Sequence, residues 1–110
     1  MNEPDIYSRL DQIISRKKDL LYNFENKNRK QDIKEFMSVY NYCLDSLKPE
    51  YRFILLESFL EVSYKYWWLD YYCQSSFYRK RLKAVSSFVH LFETIYENFD
   101  DYSDIIDIID

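Results

Sequence analysis

Apolar residues recur at three- and four-residue spacing along most of the chain, which is the periodicity of amphipathic α-helices. The first apolar row follows Pro4 and predicts a helix over about 5–25. A second row begins after Asp32 and must end near Lys48, because the residue before a proline avoids the helical region. The first half of the chain is therefore predicted to form two helices.

The second half predicts three further helical segments. Pro49 suits the first turn of a third helix, which is apolar around most of its circumference, so we expect it at the centre of the core. A short, strongly aromatic segment covers 64–72, and two adjoining apolar rows predict a long helix over about 75–98. The fold class that follows is all-α, a small helical bundle of about five helices in a single domain over 1–98.

Composition supports this fold class. The chain of 110 residues has no glycine and only two prolines. Glycine supplies the positive φ angles of tight β-turns and of phosphate-binding loops. P-loop, Rossmann and hairpin-rich folds are therefore excluded.

The net charge of −4 conceals an uneven distribution. Residues 93–110 hold seven acidic side chains and no basic one, whereas residues 1–92 have a net charge of +3. We expect a mildly basic body that is compatible with polyanion binding, and an acidic, flexible tail over 99–110. Cys43 and Cys73 are expected to be free thiols of a cytoplasmic protein, and no apolar run is long enough to predict a contact with membranes.

Residues 49–92 are predicted to form a short helix, a tight corner near Tyr71 and a long helix. The residues that carry the pattern are Leu44, Leu47, Pro49 and Arg52 before the motif, then Cys73, Ser76, Phe77, Tyr78, Arg79 and Ala84 at the start of the long helix. This arrangement resembles the helix-turn-helix of sigma-70 region 4 and, more closely, that of ArpU-like phage late-gene transcriptional regulators. The resemblance implies a recognition helix over about 74–92 that enters the DNA major groove.

Side chains at the start of that helix are the candidate DNA contacts. We expect bases to be read by Gln74, Ser75, Arg79 and Lys80, and phosphates to be held by Lys83 and Arg81. Ser75 and Ser76 are expected to cap the helix, whose unpaired backbone N–H groups would receive a phosphate.

Three positions depart from the family pattern. Trp67 stands where these families keep a small residue, and Lys80 stands where an apolar residue usually anchors the recognition helix. Tyr71 stands where glycine is favoured, so we expect strain from a positive φ angle at this corner. The resemblance thus implies a helix-turn-helix with a bulkier corner than usual.

The function implied is non-catalytic regulation of transcription through duplex DNA and RNA polymerase. A homodimer is expected, because two half-sites add binding free energy, with the N-terminal helix as its interface. The alternative is an acidic protein-interaction module that binds RNA polymerase or another regulator without touching DNA. A weaker alternative is a single-strand binder in which aromatic residues such as Trp67 and Trp68 stack on bases, although core packing is the favoured role of these rings.

Nothing in the sequence predicts an enzyme. There is no nucleophile paired with a base, and His90, Cys43 and Cys73 do not have the spacing of metal ligands. We therefore expect no catalytic residue, cofactor, metal or small-molecule substrate. The acidic tail is expected to be disordered and solvated, and its functional alternatives are to bind a basic groove of a partner or to fold over Arg79–Lys83.

Overall fold

The computed structural model describes residues 4–22, 30–60 and 65–97. It contains four α-helices: α1 (Pro4–Tyr22), α2 (Lys30–Ser46), α3 (Pro49–Leu55) and α4 (Gln74–Glu97). A turn of π-helix, Leu56–Leu60, continues α3, and a 3₁₀ turn, Trp67–Asp70, precedes α4. Within the described ranges no residue is in a strand, so the all-α prediction is confirmed. The predicted tail over 99–110 lies outside these ranges.

The number of α-helices differs from the prediction of about five. The aromatic segment forms only the single 3₁₀ turn Trp67–Asp70, which has no side-chain cap at Tyr66. Its two tryptophans point into the core, whereas Leu69 and Tyr71 are exposed. A segment that buries so few consecutive positions gains too little from packing to extend into a longer helix.

The core is centred on α4 rather than on α3, which corrects the expectation for the third helix. Ala84, Val85, Phe88 and Val89 are fully buried, and α4 packs against α1, α2 and α3. In α3 only Ile54 and Leu55 are fully buried, while Phe53 is 38% exposed. The third helix therefore covers one side of α4.

The apolar face of α1 is already used inside the chain. Ile6, Leu10, Ile13 and Leu20 are buried, and α1 packs against α2 and α4. Because these side chains are covered by the chain's own core, a homodimer interface on α1 would have to use other side chains of this helix. The homodimer itself stays a prediction.

Aromatic rings fill the space between the corner and the start of α4. The Trp68 ring stacks on Phe77 with centroids 4.7 Å apart, and Trp67 meets the same ring edge-on at 5.5 Å. Both tryptophans are only 6% exposed. Their predicted core role is confirmed, and neither indole offers a free face for stacking on a base.

None of the helices in the described part of the chain is both long enough and apolar enough to span a bilayer.

Candidate nucleic-acid interface

The start of α4 is capped by Cys73, not by the predicted pair Ser75 and Ser76. The backbone N–H of Phe77 donates to the carbonyl oxygen of Cys73 at 2.9 Å, which makes Cys73 the residue before the first helical turn. Its exposed Sγ accepts the backbone N–H of Ser76, and this bond is the main cause that lowers the pKa of the thiol. Ser75 and Ser76 instead lie in the first turn of α4, next to the exposed Gln74.

The corner before α4 turns without the expected strain. Tyr71 has φ −119° and ψ −27°, in the right-handed helical region, and no residue in the described ranges has a positive φ. The backbone N–H groups of Tyr71 and Tyr72 both donate to the carbonyl oxygen of Trp68, at 2.9 Å each. The turn is thus closed by a 3₁₀ geometry that a tyrosine adopts as readily as other residues do. The prediction that Tyr71 is strained by a positive φ angle is therefore wrong.

One side of α4 presents a continuous line of exposed polar residues, which we call the outer row. Its members are all exposed and follow one another at four- and three-residue steps: Ser75, Arg79, Lys83, Ser87, His90 and Thr94. Arg79 and Lys83 have no ion-pair partner in the part of the chain that the structure describes. The row contains two cations and short hydroxyl side chains but no carboxylate, so a polyanion would meet no repulsive charge along it.

Lys80 lies on a different side of α4 and is held by α3. Its Nζ is 3.0 and 3.1 Å from the two carboxylate oxygens of Glu50, and the Tyr72 hydroxyl donates to the same carboxylate at 3.0 Å. The bonds from Lys80 and Tyr72 lower the pKa of Glu50, while burial and the bond to Glu50 raise the pKa of Tyr72 to about 12. Lys80 therefore links α4 to α3 in the structure, and its role in base reading stays a prediction.

Arg81 is the second predicted contact that the fold turns inward. Its guanidinium carbon lies 4.8 Å from the ring centroid of Tyr78 and 5.4 Å from that of Tyr7 in α1. The rings of Phe77 and Phe59 are 5.8 and 6.0 Å away, and Nε is buried without a hydrogen-bond partner among the described residues. A cation enclosed by four ring faces is stabilised where it is. Arg81 as a phosphate contact stays a prediction, and in the structure its guanidinium packs among these rings.

A sequence signal for this inward placement exists. Arg81 is four residues after Phe77 and four before Val85, and residues at this spacing share one face of a helix. Both neighbours are fully or almost fully buried. The outer row likewise extends past the predicted contacts to His90 and Thr94, which continue its spacing but were not predicted as contacts.

Of the seven predicted DNA contacts, the structure brings three to the outer row: Ser75, Arg79 and Lys83. Gln74 is exposed beside the row, and Ser76 is half-buried in the first turn. Lys80 and Arg81 are occupied within the protein. Two of the four basic side chains between Arg79 and Lys83 are therefore exposed and unpaired within the described residues, and the other two make contacts inside the protein.

No metal centre forms in the described ranges, because no three His, Cys, Asp or Glu side chains lie together there. Comparison with known proteins gives no assignment: no family model, no curated protein and no solved structure matches this chain.

Proposed function

We propose that this protein is a non-catalytic transcriptional regulator that binds duplex DNA through the outer row of α4. The observation that carries the proposal is the placement of Arg79 and Lys83 one turn apart on an exposed face without a carboxylate. Ser75 and Ser87 flank the two cations with small hydroxyl groups. These would let the helix closely approach the base edges in the DNA major groove, which is about 12 Å wide. The resemblance to sigma-70 region 4 and ArpU-like regulators supports the same helix for this role.

The two inward cations support the proposal indirectly. Lys80 ties α4 to α3, and Arg81 ties it to α1 through the Tyr7 ring. A side chain presented from a rigid element loses less conformational entropy when it binds. Under this proposal, Lys80 and Arg81 position the outer row, and Arg79 and Lys83 contact the nucleic acid.

The test is the affinity of the full chain for a duplex DNA of mixed sequence, measured by fluorescence anisotropy at low salt. Arg79→Ala together with Lys83→Ala is expected to weaken binding at least tenfold, equivalent to about 1.4 kcal/mol. Lys18→Ala together with Lys34→Ala removes two exposed cations from α1 and α2, so it is the charge-matched control and is expected to bind as the wild type does. Equal affinities for the outer-row variant and this control would refute the proposal.

A second candidate function is the protein-interaction module. It is favoured by exposed apolar side chains at the corner, because Leu69 is 60% exposed and Tyr71 is 65% exposed. The ring centroids of Tyr71 and Phe53 are 5.8 Å apart, so these side chains adjoin α3. Exposed apolar groups that lie together are typical of protein contacts. If purified RNA polymerase binds the chain, Leu69→Ser with Tyr71→Ser should abolish that binding and the double variant of the outer row should retain it. The reverse result would reject this candidate.

A homodimer on DNA also stays a prediction, because two half-sites would add to the contacts of one short helix. Its interface would have to be a surface other than the buried apolar face of α1. Sedimentation of the protein on a duplex with one or two sites measures the stoichiometry directly, and a single protomer on every duplex would reject the dimer.

A further inference from the structure

A groove runs between α1 and the last turns of α4, on a side of α4 that the outer row does not use. Its volume is about 200 Å³. The groove is lined by Arg9, Ile13 and Arg16 from α1 and by Phe92, Glu93 and Tyr96 from α4. Sites for small-molecule ligands are usually about 300–1,000 Å³, so this groove is better matched to one or two side chains of a peptide.

The groove is apolar at its floor and cationic at its mouth. Ile13 and Phe92 are buried beneath it, and Tyr96 forms part of its wall. The Arg9 guanidinium donates two hydrogen bonds to the Glu93 carboxylate, one of them from Nε at 2.9 Å, and these bonds lower the pKa of Glu93. Arg16 is exposed and has no ion-pair partner in the described ranges. The open positive charge at the mouth therefore favours a ligand that combines an apolar side chain with an adjacent carboxylate.

The chain itself contains a segment of this chemistry. Residues 98–110 hold five aspartates, no cation and two Ile-Ile pairs, in the order Asp-Ile-Ile-Asp-Ile-Ile-Asp over 104–110. The segment leaves α4 after Glu97, immediately beyond the groove residue Tyr96. The six residues 98–103 span up to about 20 Å when extended, which is enough for the chain to turn back along α4.

We propose that residues 104–110 of the chain bind in its own groove between α1 and α4. In this arrangement isoleucine side chains pack on Ile13, Phe92 and Tyr96, and an aspartate pairs with Arg16. The interaction is intramolecular and does not depend on the proposed DNA binding, because none of the groove residues belongs to the outer row. It assigns a role to the acidic repeat and an occupant to the groove.

Paramagnetic broadening of isoleucine methyl signals tests the proposal in the full chain. A spin label is placed at Ser15→Cys, an exposed position beside Arg16, in a Cys73→Ser background. Cys43 stays unlabelled because it is buried, and burial raises the pKa of its thiol to about 12. The signals of Ile105, Ile106, Ile108 and Ile109, each assigned by an Ile→Val substitution, are expected to lose at least half of their intensity.

Two controls separate binding in the groove from general attraction. A label on native Cys73, about 35 Å from Tyr96 along α4 at 1.5 Å per residue, is expected to leave the same signals unbroadened. Arg16→Glu is expected to restore the intensities, whereas Lys83→Glu, an equal change of charge on the outer row, is expected to leave them broadened. Unchanged chemical shifts of Ile54 and Ile95, recorded after the spin label has been reduced to its diamagnetic form, show that each variant keeps its core.

Three results would overturn the proposal. The first is full intensity of the four tail signals with the label beside Arg16. The second is equal recovery in the Arg16→Glu and Lys83→Glu variants, because the attraction would then be non-specific. The third is loss of the broadening when the labelled protein is mixed with a tenfold excess of wild-type chain that carries neither spin label nor isotope. The broadening would then have come from the tail of one copy bound in the groove of another.

Discussion

Arg79 and Arg81 carry the same side chain two positions apart on α4, and the fold places them in opposite environments. Arg79 is exposed and has no ion-pair partner among the described residues, whereas the guanidinium of Arg81 is enclosed by rings from α1, α4 and the π-helical turn. Two positions on an α-helix are about 200° apart, so the two side chains leave opposite sides of α4. Basic residues that follow one another along a helix therefore do not form a single cationic surface.

The same division separates Lys83 from Lys80. Lys83 lies four residues after Arg79 and extends the exposed row, whereas Lys80 lies between the two sides and is captured by Glu50. The outward residues of α4 are therefore the candidates for function, and the inward ones are the candidates for stability. Substitutions on the two sides of α4 should consequently differ in which measurement they change.

The largest effect is expected for Phe77→Ala on the inward side. The Phe77 ring is 1% exposed and packs against both Trp67 and Trp68 as well as the Arg81 guanidinium. Truncation should lower the free energy of unfolding by about 3–5 kcal/mol, because it leaves a cavity where the corner meets α4. Urea unfolding followed by circular dichroism measures the loss. A change below about 1 kcal/mol would mean that the corner does not depend on this ring.

Arg81→Ala should lower the free energy of unfolding by about 2 kcal/mol, through lost cation–π contacts and lost packing of the side-chain stem. Arg79→Ala is the matched control on the outer side and should change it by no more than about 0.5 kcal/mol. Arg81→Met keeps the apolar volume and removes the buried Nε that lacks a partner, so it should recover most of the loss. Equal destabilisation by the two alanine substitutions would contradict the division of α4 into two sides.

A smaller effect is expected from the bond between Glu50 and Lys80. The pKa of Glu50 is lowered in the folded chain, so its contribution to stability is present above the ordinary carboxyl pKa and is lost as pH falls through the folded value. Because both side chains are partly exposed, Glu50→Gln should cost only about 0.5 kcal/mol at pH 7. Urea unfolding of the variant and the wild type should converge as pH falls from 5 to 3. A difference that stays constant over this range would show that the carboxylate charge contributes nothing.

The extent of the longer helices was predictable from the sequence. The apolar rows of α1, α2 and α4 each continue over several turns, so their spacing alone identifies the buried face. The aromatic segment was not predictable in the same way. Two adjacent buried rings, Trp67 and Trp68, lie between the exposed rings of Tyr66 and Tyr71, and a single 3₁₀ turn leaves no periodic signal.

About half of the candidate site was predictable. The outward position of Arg79 and Lys83 follows from helical spacing, since both avoid the apolar rows of α4. The inward position of Arg81 follows from the same spacing, but a charge is expected to be exposed. The contacts of its guanidinium with Tyr7 and Phe59 come from distant parts of the chain, so no local pattern shows them. The capture of Lys80 likewise depends on Glu50, thirty residues away, which no local pattern shows.

The salt dependence of duplex DNA binding measures directly how many phosphates the outer row contacts. Each phosphate contact lowers the slope of log K against log salt by about 0.9 for duplex DNA. If only Arg79 and Lys83 contact phosphates, the slope per bound protomer should be about −1.8, and it should approach zero when both are replaced by alanine. A slope of about −3.6 would mean two phosphate contacts beyond Arg79 and Lys83, as expected if Lys80 and Arg81 also contact DNA. A slope of zero for the wild type would contradict DNA binding by the outer row.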